Sequence, residues 1–186
     1  MLNEYFLNEI NELETVGAYN LEQQARLKSL YESYEMCITY VEILEEEYGK
    51  GGGTVVDLSG VTLTEVTNFA CGFIGKPYVW GGADPNTGAD SSGFVQYVYA
   101  QFGVLLPRTA REQVTCGTTI TSISNAKAGD LIFWSEDGTD SGVYHVAMYL
   151  GNELLIHASN SMPYPQGGIK VSNLYGTIYK IIRVIE

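Results

Sequence analysis

The chain is predicted to be an α+β protein, an antiparallel sheet packed on helices, and three observations predict it. Before residue 130 the apolar residues recur at helical spacing. From Asp130 onward they fall in short runs divided by turn residues, the pattern of strands. A glycine run, Gly49-Lys50-Gly51-Gly52-Gly53, sets an acidic N-terminal stretch apart from the rest. Helices first and hairpin-connected strands afterwards make an α+β arrangement. At 186 residues the chain is one ordinary domain with some surplus.

Taken in order, Leu2, Phe6, Ile10 and Leu13 repeat at helical spacing until Gly17-Ala18-Tyr19-Asn20 interrupts. Asn20 with Gln23 reads as a capping pair opening a second helix. There Leu27, Tyr31, Tyr34, Ile38, Val41 and Tyr48 line one face and glutamates fill the other. Residues 1–48 are therefore predicted to form a helical hairpin or short coiled-coil arm. Residues 49–60 read as a glycine-rich linker and 61–186 as the main domain. An unattached amphipathic pair would expose too much apolar surface, so the arm is expected to dock on its own domain or on another chain.

Beyond the linker, Thr64 to Ile74 reads as a helix with Val66, Phe69, Ala70 and Phe73 on one side, ended by Gly75. Lys76 to Trp80 is expected to run extended into Gly81-Gly82. Asp90-Ser91-Ser92 then precedes Phe94, Val95, Tyr97, Val98 and Phe102, so Asp90 or Ser91 caps a helix and Ser91 sits in its first turn. Pro107 starts a further short helix with Thr109 as its cap. Strands are predicted at 131–134, 144–150, 154–158, 169–171 and 178–185.

Composition narrows the function. The formal net charge is −12, with the excess concentrated in the arm, which argues against nucleic acid or an anionic membrane as a partner. Cys37, Cys71 and Cys116 form no CxxC pair, so neither a disulfide framework nor a zinc site is expected, and buried thiols are. No signal-peptide pattern opens the chain and no run is long enough to span a membrane. Nothing in the sequence suggests a metal or organic cofactor.

A nucleophile at position 91 would sit beside the unpaired amides and the positive end of a helix dipole. That environment suits cysteine, whose free pKa of roughly 8.5 falls well below neutrality at a helix N-terminus; the residue is Ser91. The sequence holds two histidines, His145 and His157, on consecutive strands. A three-residue loop of Leu150, Gly151 and Asn152 would set them directly opposite each other. A two-residue loop would put them on opposite faces, because one step of register flips every side chain. Either histidine alone reads as a satisfied half-buried residue. Together, after a helix-start nucleophile, they read as a base, His145, and the group that orients it, His157.

With these residues in view, the stretch from about Leu63 to Glu186 resembles the NlpC-type bacterial cell-wall endopeptidases, papain-like cysteine peptidases that cut peptidoglycan stem peptides. The matching segments are Pro77 to Gly82, Asp90 to Val98, Leu106 to Thr109, Ala128 to Leu131, His145 to Gly151 and Ile156 to Ala158. The resemblance implies a papain-like fold, position 91 as nucleophile, His145 as general base and His157 as third member. It implies that Tyr78, Asp90 and Ser92 hold the substrate's free amino end, with Trp80 and Arg108 supporting the pocket. Simpler readings remain open: Tyr78 and Trp80 as core aromatics, and Arg108 as a surface ion-pair partner. The implied cut lies between D-Glu, through its γ-carboxyl, and the diamino acid that follows.

The family pattern has cysteine where this chain has Ser91. A serine does not ionise near neutrality, so little turnover is expected. The serine is either an engineered inactivation or the mark of a natural wall-binding pseudoenzyme; both histidines and the polar triplet persist, which favours the first. Cys116, following a different helix, is no substitute. The alternatives are an N-acetylmuramoyl-L-alanine amidase on the same plan and a module that binds stem peptides without cutting. Tyr78 with Asp90 argues against the amidase, whose substrate has no free amine there. With no leader in the sequence and an acidic arm, delivery to the wall by a phage tail or secretion apparatus, or excision from a longer secreted chain, is expected.

Overall fold

The computed structural model describes residues 63–163 and 167–185. The predicted arm, the linker and Cys37 lie outside the described residues. Helix α1, Leu63–Cys71, buries Val66, Ala70 and Cys71. Its Phe69 ring meets Phe73 and Phe102 edge-on at 5.2 and 5.7 Å between centroids. The helix stops short of the predicted Ile74 because the next turn is tied to the sheet instead: Gly75 donates to the Ile169 carbonyl and Ile169 back to that of Lys76, both at 2.8 Å.

The Lys76–Trp80 segment is not a strand of a sheet. It touches the following ribbon through one parallel bridge, Tyr78 to Ala89. That ribbon pairs β1, Ala83–Asp84, with β2, Gly88–Ala89, and leads into helix α2, Ser91–Gln101. Asp90 is the cap of α2, and Phe94, Val95, Val98 and Tyr99 are buried along it. Helix α3, Ala110–Gln113, is one short turn held by a capping box in which Thr109 and Glu112 satisfy each other's amides.

Six antiparallel strands form the main sheet: β3 (Thr118–Ile120), β4 (Leu131–Ser135), β5 (Val143–Gly151), β6 (Leu154–Ser159), β7 (Gly168–Asn173) and β8 (Lys180–Arg183). Their order is β3-β8-β4-β5-β6-β7. The predicted run of neighbours holds for β4 to β7, while β8 returns along the other side of β4. Strand β3 went unpredicted: Thr118, Thr119 and Ile120 are too few and too polar to show an alternation. Asp130 anchors the start of β4, accepting from Arg183 Nε at 2.9 Å and Nη2 at 2.8 Å and from the Lys127 amide at 2.8 Å.

The sheet is buried on both faces. One side carries the larger apolar cluster, where Phe94, Val98 and Tyr99 of α2 meet Val146, Met148 and Ile156. The other carries Ile132, Trp134, Ala147, Tyr149, Leu155 and Ile181, covered by Ile120 at the end of β3 and by Ile123, Leu174 and Ile178 from connecting segments. Cys71 is buried as expected; Cys116 is only half-buried, its thiol turned to the Glu112 carbonyl at 3.3 Å.

The β5–β6 hairpin corrects the predicted turn. The loop is the two-residue Asn152-Glu153, both at positive φ (48° and 61°), closed by the pair Gly151 and Leu154. By itself such a loop would have put the histidines on opposite faces. A bulge between Tyr149 and Gly151 inserts one extra residue and restores the parity. The register beyond it pairs Met148 with Ile156 and Tyr149 with Leu155. Continued along the strands, it sets His157 against Ala147, with His145 one diagonal step away on the same face.

The start of α2 depends on a missing side chain. A Cβ on Gly93 would lie 2.2 Å from the Gly82 carbonyl oxygen and 3.0 Å from the Ala83 Cα. Gly93→Ala must therefore push the 81–83 turn off the helix. It is expected to cost about 1–3 kcal/mol, read as a lower urea midpoint with an unchanged slope. An unaltered midpoint would refute this close packing.

Candidate functional site

An open cleft of about 890 Å³ lies where the start of α2 meets the first residues of β5. Ser91 lines it as the first residue of the helix, almost buried at 8% exposure. Asp90 precedes it in extended conformation (φ −84°, ψ 176°), and its Oδ1 accepts from the Gly93 amide at 2.8 Å. The opening amides of a helix have no acceptor within it, so this end presents N–H groups and positive dipole to whatever occupies the cleft.

Asp90 is held on every side. Arg108 donates to it through both terminal nitrogens, Nη2 to Oδ2 at 2.7 Å and Nη1 to Oδ1 at 2.9 Å. The same guanidinium reaches Ser92 Oγ at 2.9 Å and the Gly82 carbonyl at 3.0 Å. Oδ2 also accepts from the Gly81 amide at 3.0 Å, and Ser92 donates to Oδ1 at 3.2 Å. Burial alone would raise the Asp90 carboxyl; the Arg108 hydrogen bonds and charge and the Gly93 and Gly81 amides outweigh it and lower the pKa. Arg108 is thus the centre of a clamp that fastens the 81–82 turn to the start of α2, rather than a solvent-exposed ion pair.

The two aromatic candidates part company. Trp80 is 83% exposed and lines the cleft, so it is not a core residue. Tyr78 also lines the cleft but packs against the larger apolar cluster, and burial, with the nearby Asp90 charge, raises its pKa.

His145 lines the cleft together with Ser91, and His157 stands behind it, 2% exposed. His145 Nε2 lies 2.8 Å from His157 Nδ1, and the rings meet at 72°. Burial pushes His145 down to about 4. His157 is held well below its ordinary value by burial, then by His145 and by Lys170, its direct partner on β7. At neutral pH both rings are uncharged. Trp134 lies beside His145 and Tyr175 beside His157, at 5.5 and 5.8 Å between centroids, and these two aromatics stack on each other at 4.8 Å. Burial, and then Tyr144, raises Tyr175 to about 12.

Two supporting residues escaped the sequence reading. Ser172 Oγ sits 3.0 Å from His157 Nε2; finding it needed the β6–β7 register, which a strand prediction alone does not supply. Gln113 Nε2 donates to the Ser92 carbonyl at 3.0 Å and to that of Pro107 at 2.8 Å, pinning α3 to the start of α2. Its Oε1 is buried without a partner among the described residues, and nothing in the spacing of a short helix marks it. Among the described residues no group of three or more His, Cys, Asp or Glu is placed to hold a metal ion.

Residues 75–183 match the NlpC/P60 family. Over 100 residues the chain is 41% identical to the bifunctional muramidase/DL-endopeptidase CwlT of Bacillus subtilis, covering 54% of this chain and 28% of that protein. The chain therefore spans less than a third of this relative's length. The solved NlpC/p60 domain of the peptidoglycan hydrolase SagA is similar at 40% identity and a TM-score of 0.57, covering 66% of this chain and 99% of that one. RipD of Mycobacterium tuberculosis, described as a non-catalytic NlpC/p60 domain protein adapted to peptidoglycan binding, is similar at 26% identity and a TM-score of 0.55, covering 67% and 98%.

The neutral histidine pair fixes a pH dependence. A histidine held below its unfolded value of roughly 6.5 leaves the unfolded chain binding more protons, so stability rises with pH. The contribution is complete above about 6.5 and is lost as pH drops toward 4 for His145; His157, lowered in the same direction, adds a loss of the same sign. Urea midpoints should therefore fall between pH 7 and about pH 4.5, and His145→Gln should flatten that fall. Equal slopes in the two proteins would contradict the assignment.

Proposed function

The chain belongs to the NlpC/P60 family, and on that premise we propose that it is a peptidoglycan hydrolase module directed at stem peptides. The bond addressed joins the γ-carboxyl of D-Glu to the diamino acid that follows. The observation that carries this reading is the shared cleft. Position 91 at a helix N-terminus and His145 line it together, and His157 backs His145 at 2.8 Å. The names of similar proteins agree with it: CwlT is a DL-endopeptidase and SagA a peptidoglycan hydrolase.

In this reading a cysteine at 91 attacks the carbonyl carbon as thiolate and the helix amides steady the oxyanion. His145 passes its proton to the leaving amine, and water releases the acyl group. His157 orients His145. Tyr78, Asp90 and Ser92 meet the free amino end, with Trp80 and Arg108 supporting them. Because Arg108 and backbone amides already engage both Asp90 oxygens, amine recognition is shared with Tyr78 and Ser92 rather than resting on a bare carboxylate.

Ser91 disables this sequence of steps. Attack by an alcohol needs proton removal in concert, and a base pushed down to about 4 is poorly matched to an alkoxide. The module is residues 61–186, with 1–48 as a docking arm and 49–60 as its linker; its place of action is the cell wall, reached through another assembly or as part of a longer secreted chain. A second reading, stem-peptide binding without cleavage, is favoured by the same Ser91 and by the description of RipD.

Mass spectrometry of muropeptides incubated with this protein and with Ser91→Cys, under reducing conditions, separates them. The cysteine form is expected to release L-Ala-D-Glu dipeptide and the serine form none. Retention on peptidoglycan with no product from either would leave the binding module, and release of the whole stem from the glycan would replace the endopeptidase with an amidase.

A further inference from the structure

His157 makes a contact through each ring nitrogen, Nδ1 to His145 and Nε2 to Ser172 Oγ at 3.0 Å. Ser172 comes from β7: Lys170 is paired with His157, and Ser172, two residues on and paired with Leu155, projects from the same face. The far end of the histidine pair is therefore a hydroxyl supplied by a third strand.

A neutral imidazole has one donor nitrogen and one acceptor, so the two contacts lock the tautomers of both rings together. In one sense His145 Nε2–H donates to His157 Nδ1 and His157 Nε2–H donates to Ser172, which leaves the His145 lone pair on Nδ1. In the other sense Ser172 donates, His157 Nδ1–H donates, and His145 Nδ1 carries a proton. The first sense requires an acceptor beyond His157. A buried N–H without one is costlier than a nitrogen lone pair left unused, so removing the Ser172 oxygen favours the second sense.

We propose that Ser172 is a positioning residue whose hydroxyl oxygen accepts the His157 Nε2 proton and thereby keeps the His145 lone pair on Nδ1, the nitrogen His157 does not use. This rests on reading His145 as the base. The same sense is demanded when that base is protonated, because His145 then donates from Nε2 whatever its partner prefers. Ser172 takes up no proton itself: the proton gained at His145 Nδ1 stays there until it passes to the leaving amine.

Valine and threonine have nearly the same shape and both suit a strand, so Ser172→Val and Ser172→Thr separate the oxygen from its packing. Long-range proton–nitrogen NMR of the full chain is expected to find both rings protonated at Nε2 in the parent and in Ser172→Thr, and shifted toward Nδ1–H in Ser172→Val. In the Ser91→Cys background Ser172→Val should lower kcat by roughly tenfold with KM little changed, and Ser172→Thr should restore it. Should the valine variant unfold, Ser172→Ala is expected to give the same tautomer shift. Unchanged tautomers in the variant lacking the oxygen overturn the proposal. The expected shift with an inert Ser91→Cys parent upholds Ser172's role and counts against the peptidase reading instead.

Discussion

The site hangs on the Asp90 carboxylate. One side chain caps α2, accepts from the Gly81 amide of the preceding turn and receives both arms of Arg108 from the α2–α3 connection. Three chain segments that share no sheet are thereby brought to one point. Of the Asp90 side chain 13% is exposed, and of Arg108 34%. The pair is thus partly shielded from solvent, where a planar fork matched to a carboxylate gives direction as well as attraction. The interaction is better understood as geometry than as stability: a charge pair at this exposure contributes modestly, yet it joins the Gly81 amide and the Asp90 amide's bond to the Gly82 carbonyl in setting the 81–83 turn against the helix start. Gly93 completes the arrangement by having no Cβ to obstruct that turn.

Against this fixed point the sheet must deliver its histidines, and a single bulge decides whether it does. A two-residue turn is the tightest way to reverse β5 into β6, and its twist matches the strands. Its parity is wrong for bringing His145 and His157 together. The extra residue between Tyr149 and Gly151 corrects the parity without lengthening the loop. The diagonal placement that results suits imidazoles: the rings meet at 72° and bond through nitrogen at 2.8 Å.

This hairpin also marks how far the sequence can be read. The α+β order, the Asp90 and Thr109 caps, and four strands in neighbouring sequence follow from periodicity and capping chemistry, both of which act over a few residues. Bringing His145 and His157 onto one face was expected for a mistaken reason, since a three-residue loop and a two-residue loop with a bulge give the same parity and differ by two residues in register. Asp90 was legible as a cap but its partner was not: the pairing with Arg108 spans 18 positions and no local pattern encodes it. Ser172 and Gln113 are hidden for the same reason. Their partners are fixed by strand order and by the packing of a four-residue helix, which local spacing does not reach.

The low proton affinity of the histidine pair belongs to the serine state of the site. Burial is the first cause for both rings, and no anion among the described residues offsets it at either one. A thiolate at position 91 would be such an anion, placed in the cleft that His145 lines. Its field would favour imidazolium, as the helix dipole would favour the thiolate. The two groups would then raise and lower each other's pKa as a coupled pair rather than titrate separately. A hydroxyl supplies no charge of its own, so neither half of that exchange occurs. A serine at position 91 therefore lacks more than the reactivity of a thiolate: it offers the buried histidines no negative charge against which to hold a proton.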